Sequence, residues 1–260
     1  MSLGSLWPLG ASRSALPPPI DSARLPQGVR VYAIGDIHGR SDLLADLHNR
    51  IRADASLAVQ GTRCVVIYLG DYVDRGPDSP GVIDTLLSRP LPGFARVFLR
   101  GNHEAQFLDF MEHGKGGGEW LRLGGDATIH AYRVPWPTTG DEHERLAALA
   151  ANLSRAVPRE HKDFLRSLRN FASIGDYFFV HAGVDPMRPL DDQDPRDLLW
   201  IRRRFLDWQE NFGKIVVHGH STSRKPELRG NRIGIDTGAY LSGTLTALVL
   251  EGGRRRFIST

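Results

Sequence analysis

The sequence predicts an α/β fold made of two facing mixed β-sheets with helices on the outside. Three observations predict it. The first 110 residues alternate apolar strand, polar loop and amphipathic helix three times, the pattern of a parallel sheet with crossover helices. After residue 170, short apolar segments return with tight turns and little helix between them; that predicts a second, more antiparallel sheet. Compact clusters of Asp, Asn, His and Gly end or interrupt five of the apolar segments, and open α/β sheets place their ligands at the carboxyl ends of strands.

The elements follow in order. VRVYAIG, from Val29, reads as a buried strand, and DIHGRSD as the loop that leaves it. SDLLADLHNRIRA puts Leu43, Leu44, Leu47 and Ile51 on one helical face, with Ser41 as N-cap. RCVVIYLG is a second strand, with Cys64 in its core, and GDYVDRGPDS ends it. Val82, Ile83, Leu86 and Leu87 predict a helix from about Pro80 to Ser88. FARVFLR is the third strand, GNHE ends it, and another helix begins near Glu104.

Residues 114–170 break the pattern. GKGGGEW reads as flexible, RVPWPTTGDE as a turn-rich break, and 142–170 as amphipathic helix. This helical insert is expected to wall the substrate groove. DYFFVHAG, GKIVVHGH, NRIGIDTG, TLTALVLE and RRRFIST then supply the strands of the second sheet. Residues 1–27 are expected to be a Pro-rich, disordered tail, and 28–260 a single catalytic domain.

Composition excludes several classes. The 33 basic and 30 acidic residues leave a net charge of only +3, too little to argue for nucleic acid. The arginine triplets at 202–204 and 254–256 lack a recognisable aromatic-interleaved motif. No apolar run approaches the ~18–20 residues of a membrane span. Cys64 is the only cysteine, which rules out an intrachain disulfide and a cysteine-based zinc cage. It fits a reducing, cytoplasmic setting. Ser and Arg without an acid before Asp21 leave a transit-peptide reading open.

The five clusters are GDIHG (35–39), GDYVDRG (70–76), GNHE (101–104), HAG (181–183) and HGHS (218–221). One Gly-Asp after a strand is usually a turn, and one histidine is usually structural. Five such clusters, in order along an α/β pattern, are not coincidence. They supply Asp36, His38, Asp71, Asn102, His181 and a histidine of the last cluster. These are oxygen and imidazole donors without sulfur, a set that suits manganese, iron or zinc. His218 and His220 have the same strand parity, so alternation does not choose between them. No Cys-x5-Arg pattern surrounds Cys64, which argues against a cysteine phosphatase.

GDIHG, GDYVDRG, GNHE, a later histidine and GHS resemble the calcineurin-like metallophosphoesterases, and most closely the phosphoprotein phosphatase branch with its bacterial members. The resemblance covers about residues 29–260. It implies the family's sandwich, with a dimetal site at the strand C-terminal rim. Asp36, His38 and bridging Asp71 are the implied ligands of one ion; Asp71, Asn102, His181 and His220 are those of the other. His220 is chosen because it stands in the Gly-His-Ser form. The implied cofactors are two divalent ions, manganese first, with iron or zinc as alternatives. The implied reaction is in-line attack by a metal-bridging hydroxide. Arg75 and Asn102 would hold phosphate, joined by an arginine of LLWIRRRF; Arg202 matches by position, with Arg203 and Arg204 open. His103 would be the general acid, paired with Asp74.

Two substrate classes compete: phosphoserine or phosphothreonine in proteins, and dinucleoside polyphosphates. Symmetrical diadenosine tetraphosphate hydrolases, with RNA decapping as a related activity, resemble the same motifs. They typically lack the equivalent of Asp74 and have Asp where Glu104 stands, which favours the protein phosphatase reading. GGDATIHAY and GIDTGAYLSGTLTALVL look more like the nucleotide hydrolases. Tyr240 could stand in for a tyrosine near the phosphatases' site, and Asp236 could support a ligand. An inactive phosphate-binding module is the remaining alternative. Neither a membrane nor a specific nucleic acid is implied as a partner.

Overall fold

A computed structural model describes residues 20–88 and 90–260. Two five-stranded sheets form the centre. The first begins with β1 (Val29–Ile34), then α1 (Ser41–Ala55), β2 (Arg63–Tyr68), α2 (Ser79–Leu87) and β3 (Ala95–Phe98). These three strands are parallel, as the alternation predicted. Helix α3 (Asn102–His113) follows, beginning two residues before the expected Glu104. The next helices are α4 (Gly117–Trp120), a π-turn at Leu121–Gly125, α5 (Asp126–Ala131), α6 (Glu142–Ala156) and α7 (Arg159–Arg166).

The second sheet contains β4 (Phe171–Ile174), β5 (Tyr177–Val180), β6 (Ile215–His218), β7 (Glu227–Leu228) and β8 (Arg232–Gly234), in the order β4-β5-β6-β8-β7. Helices α8 (Pro195–Trp200) and α9 (Arg203–Leu206) lie between β5 and β6, and α10 (Ala239–Ser242) follows β8. The last strands are β9 (Thr246–Glu251) and β10 (Arg254–Ser259).

Four expectations need correction. TLTALVLE and RRRFIST do not belong to the second sheet: β9 pairs antiparallel with β1, and β10 with β9. Alternation shows which residues of a strand face which side, but not which strand lies beside it. The second sheet is also parallel at its centre, where β5, β6 and β8 pair; only the edge strands β4 and β7 run antiparallel. Third, residues 20–27 of the supposed tail are packed. Ala23 and Leu25 are buried, and the Leu25 amide donates to the Gly252 carbonyl at 2.9 Å. Residues 1–19 lie outside the described residues. Ser41 starts α1 as its first helical residue and not as its N-cap.

Strand parity explains the layers. Val31, Ala33, Val65, Ile67, Leu248 and Leu250 from the first sheet meet Tyr177, Phe179, Ile215, Val217 and Ile233 from the second in one core. The alternate residues Tyr32, Ile34, Val66 and Tyr68 pack outward against Leu44, Leu47, Ile51, Val82 and Ile83 of α1 and α2. Phe178, Val180 and Val216 face outward against Leu198 and Phe205. Strands covered on both faces read as continuous apolar runs. Because β1, β2 and β3 are parallel, and β5 and β6 are parallel, their polar sequels gather at carboxyl-terminal rims.

Helix α1 also carries a pH-dependent contribution to stability. His48 is buried, with Nε2 2.9 Å from the Tyr68 hydroxyl. Burial, and then Arg52, push it down to about 4. Its unfolded value is near 6.5, so the unfolded chain gains the proton first as pH falls. Stability is therefore lost as pH drops from about 6.5 to about 4, by on the order of 3 kcal/mol. His48→Gln is expected to flatten that limb in urea unfolding. The same pH slope in both proteins would show that His48 is not the group responsible.

Candidate metal centre

Each site residue sits where a strand has just ended. Asp36 and His38 follow β1, Asp71 follows β2, Asn102 and His103 open α3 after β3, His181 follows β5, and His220 lies just beyond β6. The turns are tight enough to force unusual backbone. His38, Asp71, Asp74, Arg75 and His220 all have positive φ; Arg133 is the one other non-glycine described with it. Backbone strain of this kind is held in place by its surroundings and clusters at functional sites. Close approach explains two of the glycines: a Cβ on Gly101 would strike the Asp71 carboxylate, and one on Gly219 the Asp36 carboxylate.

Two buried groups of donors share Asp71. One is His38, Asp71 and His103; the other is Asp71, His181 and His220, with the ligand atoms of each group within 4.8 Å of one another. Asp71 Oδ2 lies 3.4 Å from His38 Nε2, and Asp71 Oδ1 lies 3.4 Å from His181 Nε2. Asn102 Oδ1 is 2.9 Å from His181 Nε2. Asp36 stands beside these groups and accepts from the His220 amide at 3.0 and 3.2 Å. The tight first group therefore contains His103, where Asp36 had been expected to be the third member.

Of the two histidines in the last cluster, the fold brings His220, the one chosen from the resemblance, beside the shared aspartate. His220 joins Asp71 and His181, and its Nε2 is buried without a hydrogen-bond partner. His218 points away: its Nδ1 lies 3.0 Å from the Gly219 carbonyl, and its Nε2 3.4 Å from Arg232.

The donor chemistry fits divalent cations. His38 Nδ1 is 2.9 Å from the Val73 carbonyl, and His181 Nδ1 is 3.0 Å from the Leu69 carbonyl. Each Nδ1–H donates there, so the lone pair is on Nε2 and faces Asp71. Outer hydrogen bonds of this kind fix the tautomer of a ligating histidine. Burial pushes His38 down to about 3 and also lowers His181 and His220, keeping the imidazoles neutral and able to ligate. Burial, then Asp236 and Asp71, raise Asp36 well above the usual carboxylate range. Burial raises Asp236 too. Three buried carboxylates with a free imidazole nitrogen beside them are what bound cations would neutralise.

Arg75 faces the same space. Its Nη1 is 3.1 Å from His38 Nε2, its Nη2 is 3.0 Å from His103 Nε2, and its guanidinium lies 5.0 Å above the Tyr240 ring. Tyr240 also meets His38 edge-on at 5.4 Å, and Trp200 meets His220 at 6.2 Å. Arg204 is bound to Asp185 at 3.3 Å and Asp197 at 3.0 Å. Arg202 is the arginine of the triplet whose charge acts on His220. His103 Nδ1 donates to Asp74 Oδ2 at 2.7 Å. Burial lowers His103, but the charges of Asp71 and Asp74 outweigh it and raise the imidazole above its ordinary value.

Several supporting residues were not visible in the sequence. Trp120 ends a stretch expected to be flexible, yet it is fully buried in α4 and donates to Asp74 at 2.8 Å. Nothing in GKGGGEW signals that contact. Glu104 had served only to separate families. It is fully buried and accepts from the amides of Asp71 (2.8 Å), Tyr72 (2.7 Å), Val73 (3.3 Å) and Gly101 (2.9 Å). One carboxylate thus holds the turn that aims Asp71. Leaving a buried donor unsatisfied costs about 1–3 kcal/mol, so Glu104→Ala is expected to destabilise the fold by about 3 kcal/mol or more. Chemical denaturation measures it; a loss below about 1 kcal/mol would mean water replaces the carboxylate.

Comparison with known proteins agrees with this geometry. A family model described as calcineurin-like phosphoesterase matches residues 29–243. Serine/threonine-protein phosphatase 2 of Escherichia coli K12 is 35% identical over 224 residues, 83% of this chain and 90% of that protein. An asymmetrical bis(5'-nucleosyl)-tetraphosphatase of Geobacillus thermodenitrificans is 26% identical, over 85% of this chain and 90% of that one. It bears the asymmetrical designation, whereas the sequence had suggested the symmetrical kind. A solved protein provisionally designated a diadenosine tetraphosphatase superimposes with a TM-score of 0.60 at 25% identity, covering 91% of this chain and 98% of that one. With its two-sheet architecture and its paired donor groups, the chain belongs to the calcineurin-like phosphoesterase family, whose hydrolases use a dinuclear metal site.

Proposed function

We propose that the chain hydrolyses phosphoserine and phosphothreonine in proteins. One observation carries this reading: the buried Asp74–His103 pair, 2.7 Å apart, beside the metal centre. A serine or threonine alkoxide is a poor leaving group and needs a proton as the P–O bond breaks. A nucleotide leaving from a polyphosphate is already a stable anion and needs a general acid much less. The relative named serine/threonine-protein phosphatase 2, at 35% identity, supports the same reading.

In this reading Asp36, His38 and Asp71 hold one divalent ion, and Asp71, Asn102, His181 and His220 the other. The family resemblance puts manganese first, with iron or zinc as alternatives; all three take oxygen and nitrogen donors. When bound, the ions supply Lewis acidity to the phosphate and lower the pKa of the attacking water. The protein's own groups do the rest. Arg75 leaves His38 and His103 and turns its fork onto phosphate oxygens; Asn102 and Arg202 help to orient the same group. That exchange frees His103 Nε2, which then carries its proton. Water oxygen bonds to phosphorus and gives one proton to solvent, the ester P–O bond breaks, and the departing oxygen takes the proton from His103. Solvent later returns one. The location proposed is the cytoplasm, which suits the single cysteine.

Dinucleoside polyphosphate hydrolysis is the second reading. Tyr240 and Trp200, each about a third exposed, flank the centre and could stack bases. Turnover of a phosphoserine peptide and of diadenosine tetraphosphate, measured with manganese and with a chelator-treated control, separates the two. Preference for the peptide is expected. Preference for the dinucleotide would overturn the reading; no metal-dependent turnover of either would point to an inactive phosphate-binding module.

A further inference from the structure

The helical segment after α3 reaches into the centre at one place. Asp74 is fully buried and its φ is +71°. Its Oδ2 accepts from His103 Nδ1 at 2.7 Å and from the Trp120 indole at 2.8 Å. Its Oδ1 accepts from the Thr128 hydroxyl at 2.6 Å. The Thr128 oxygen also accepts the Asp74 amide at 3.0 Å, so it grips both ends of the residue. Ser79 lies 2.9 Å from Thr128 and takes a second bond from the same amide at 3.0 Å.

Trp120 is itself locked. It stacks on Phe107 at 5.5 Å and tilts against Phe110 at 5.2 Å, both on α3, whose first turn carries His103. The intervening π-turn holds the neighbour of Asp74. The Gly124 carbonyl accepts the Arg75 amide at 3.0 Å, and the Leu123 carbonyl accepts Arg75 Nε at 3.3 Å. Gly124 needs its φ of +109° to lie against Arg75, where a Cβ would collide.

We propose that Trp120 and Thr128 are positioning residues for leaving-group protonation: they clamp the Asp74 carboxylate, and through it set the plane of the His103 ring. With three side-chain donors on its two oxygens, that carboxylate has one orientation. Without the indole or the hydroxyl it can rotate, and His103 loses the anchor on its Nδ1 side. Misplacement by about 1 Å at a reacting group can cost on the order of 10²-fold. The segment 120–128 thus serves the reaction from outside the five clusters.

The inference rests on the reading of Asp74 and His103 as the proton-donating pair, and the test separates the two. Trp120→Phe keeps the stacked ring and removes the donor; Thr128→Val keeps the shape and removes the hydroxyl. Each metal-loaded variant, with His103→Asn beside it, is assayed on a phosphoserine peptide and on p-nitrophenyl phosphate, whose leaving group needs no proton. His103→Asn should lose about 10²-fold or more on the peptide and far less on the aryl ester. Trp120→Phe and Thr128→Val should each lose about tenfold in kcat on the peptide, with KM within about twofold and aryl turnover nearly kept. In zinc-loaded protein, the proton resonance of His103 Nδ1–H, identified by its loss in His103→Asn, should move in both variants.

Equal losses on both esters in Trp120→Phe and Thr128→Val, or an unmoved resonance, would overturn the positioning role. Equal losses in His103→Asn would instead overturn the acid reading on which it stands. If one variant fails to fold by circular dichroism, the other decides.

Discussion

Asp71→Asn is expected to abolish stoichiometric divalent-metal binding and metal-dependent turnover together, the latter by on the order of 10³-fold or more. Asp71 is the one residue whose two oxygens serve both donor groups, 3.4 Å from His38 Nε2 on one side and 3.4 Å from His181 Nε2 on the other. An amide keeps the shape but removes the charge. It also turns an N–H towards a nitrogen that needs a lone pair. Other carboxylates do not compensate, because Asp36 sits against the His220 amide and Asp236 is bound by Thr222 at 2.7 Å and by the Gly238 amide at 2.8 Å. Calorimetric titration with manganese measures the loss directly. Thermal unfolding gives a second readout, because metal that binds only the native state raises its apparent stability. The parent protein should gain stability on adding metal, and the variant should not. Asn102→Ala should weaken binding in the same direction. Two ions still bound in Asp71→Asn would remove the bridging role.

The second large effect concerns the proton and not the metal. His103→Asn should reduce turnover of an alkyl phosphate by about 10²–10⁴-fold, with metal content kept. Asparagine can still donate an amide N–H towards the Asp74 carboxylate that His103 Nδ1 serves, but it has no titratable proton to transfer to a leaving oxygen. The fold should persist, because the carboxylate of Asp74 keeps two other donors, from Trp120 and Thr128. Metal content by elemental analysis, read beside kcat, separates this outcome from loss of the centre. Unchanged turnover would end the acid assignment. A parallel loss of metal would show that His103, grouped with His38 and Asp71 by distance, acts as a ligand.

GDIHG, GDYVDRG and GNHE made the donor set legible because each cluster is local: a few consecutive residues carry both the chemistry and the glycines that let the turn form. Parallel β1, β2 and β3 were legible for the same reason, since strand, loop and helix alternate along the chain. Longer-range pairings were not. The placement of β9 beside β1 joins residues more than two hundred apart, and nothing in TLTALVLE names its partner. Trp120 was hidden by the glycines before it, which suggested a mobile loop. Packing against Phe107 and Phe110 overrode that local preference.

The short motifs of the amino-acid sequence pointed to the family and named candidate donors, and apolar periodicity put those candidates at strand ends, because both signals are encoded within a few residues. Tertiary structure alone decided that Glu104 holds the Asp71 turn, and that Trp120 and Thr128 grip Asp74. Those outcomes depend on direction and distance between segments far apart in the chain, and side-chain type and spacing carry neither.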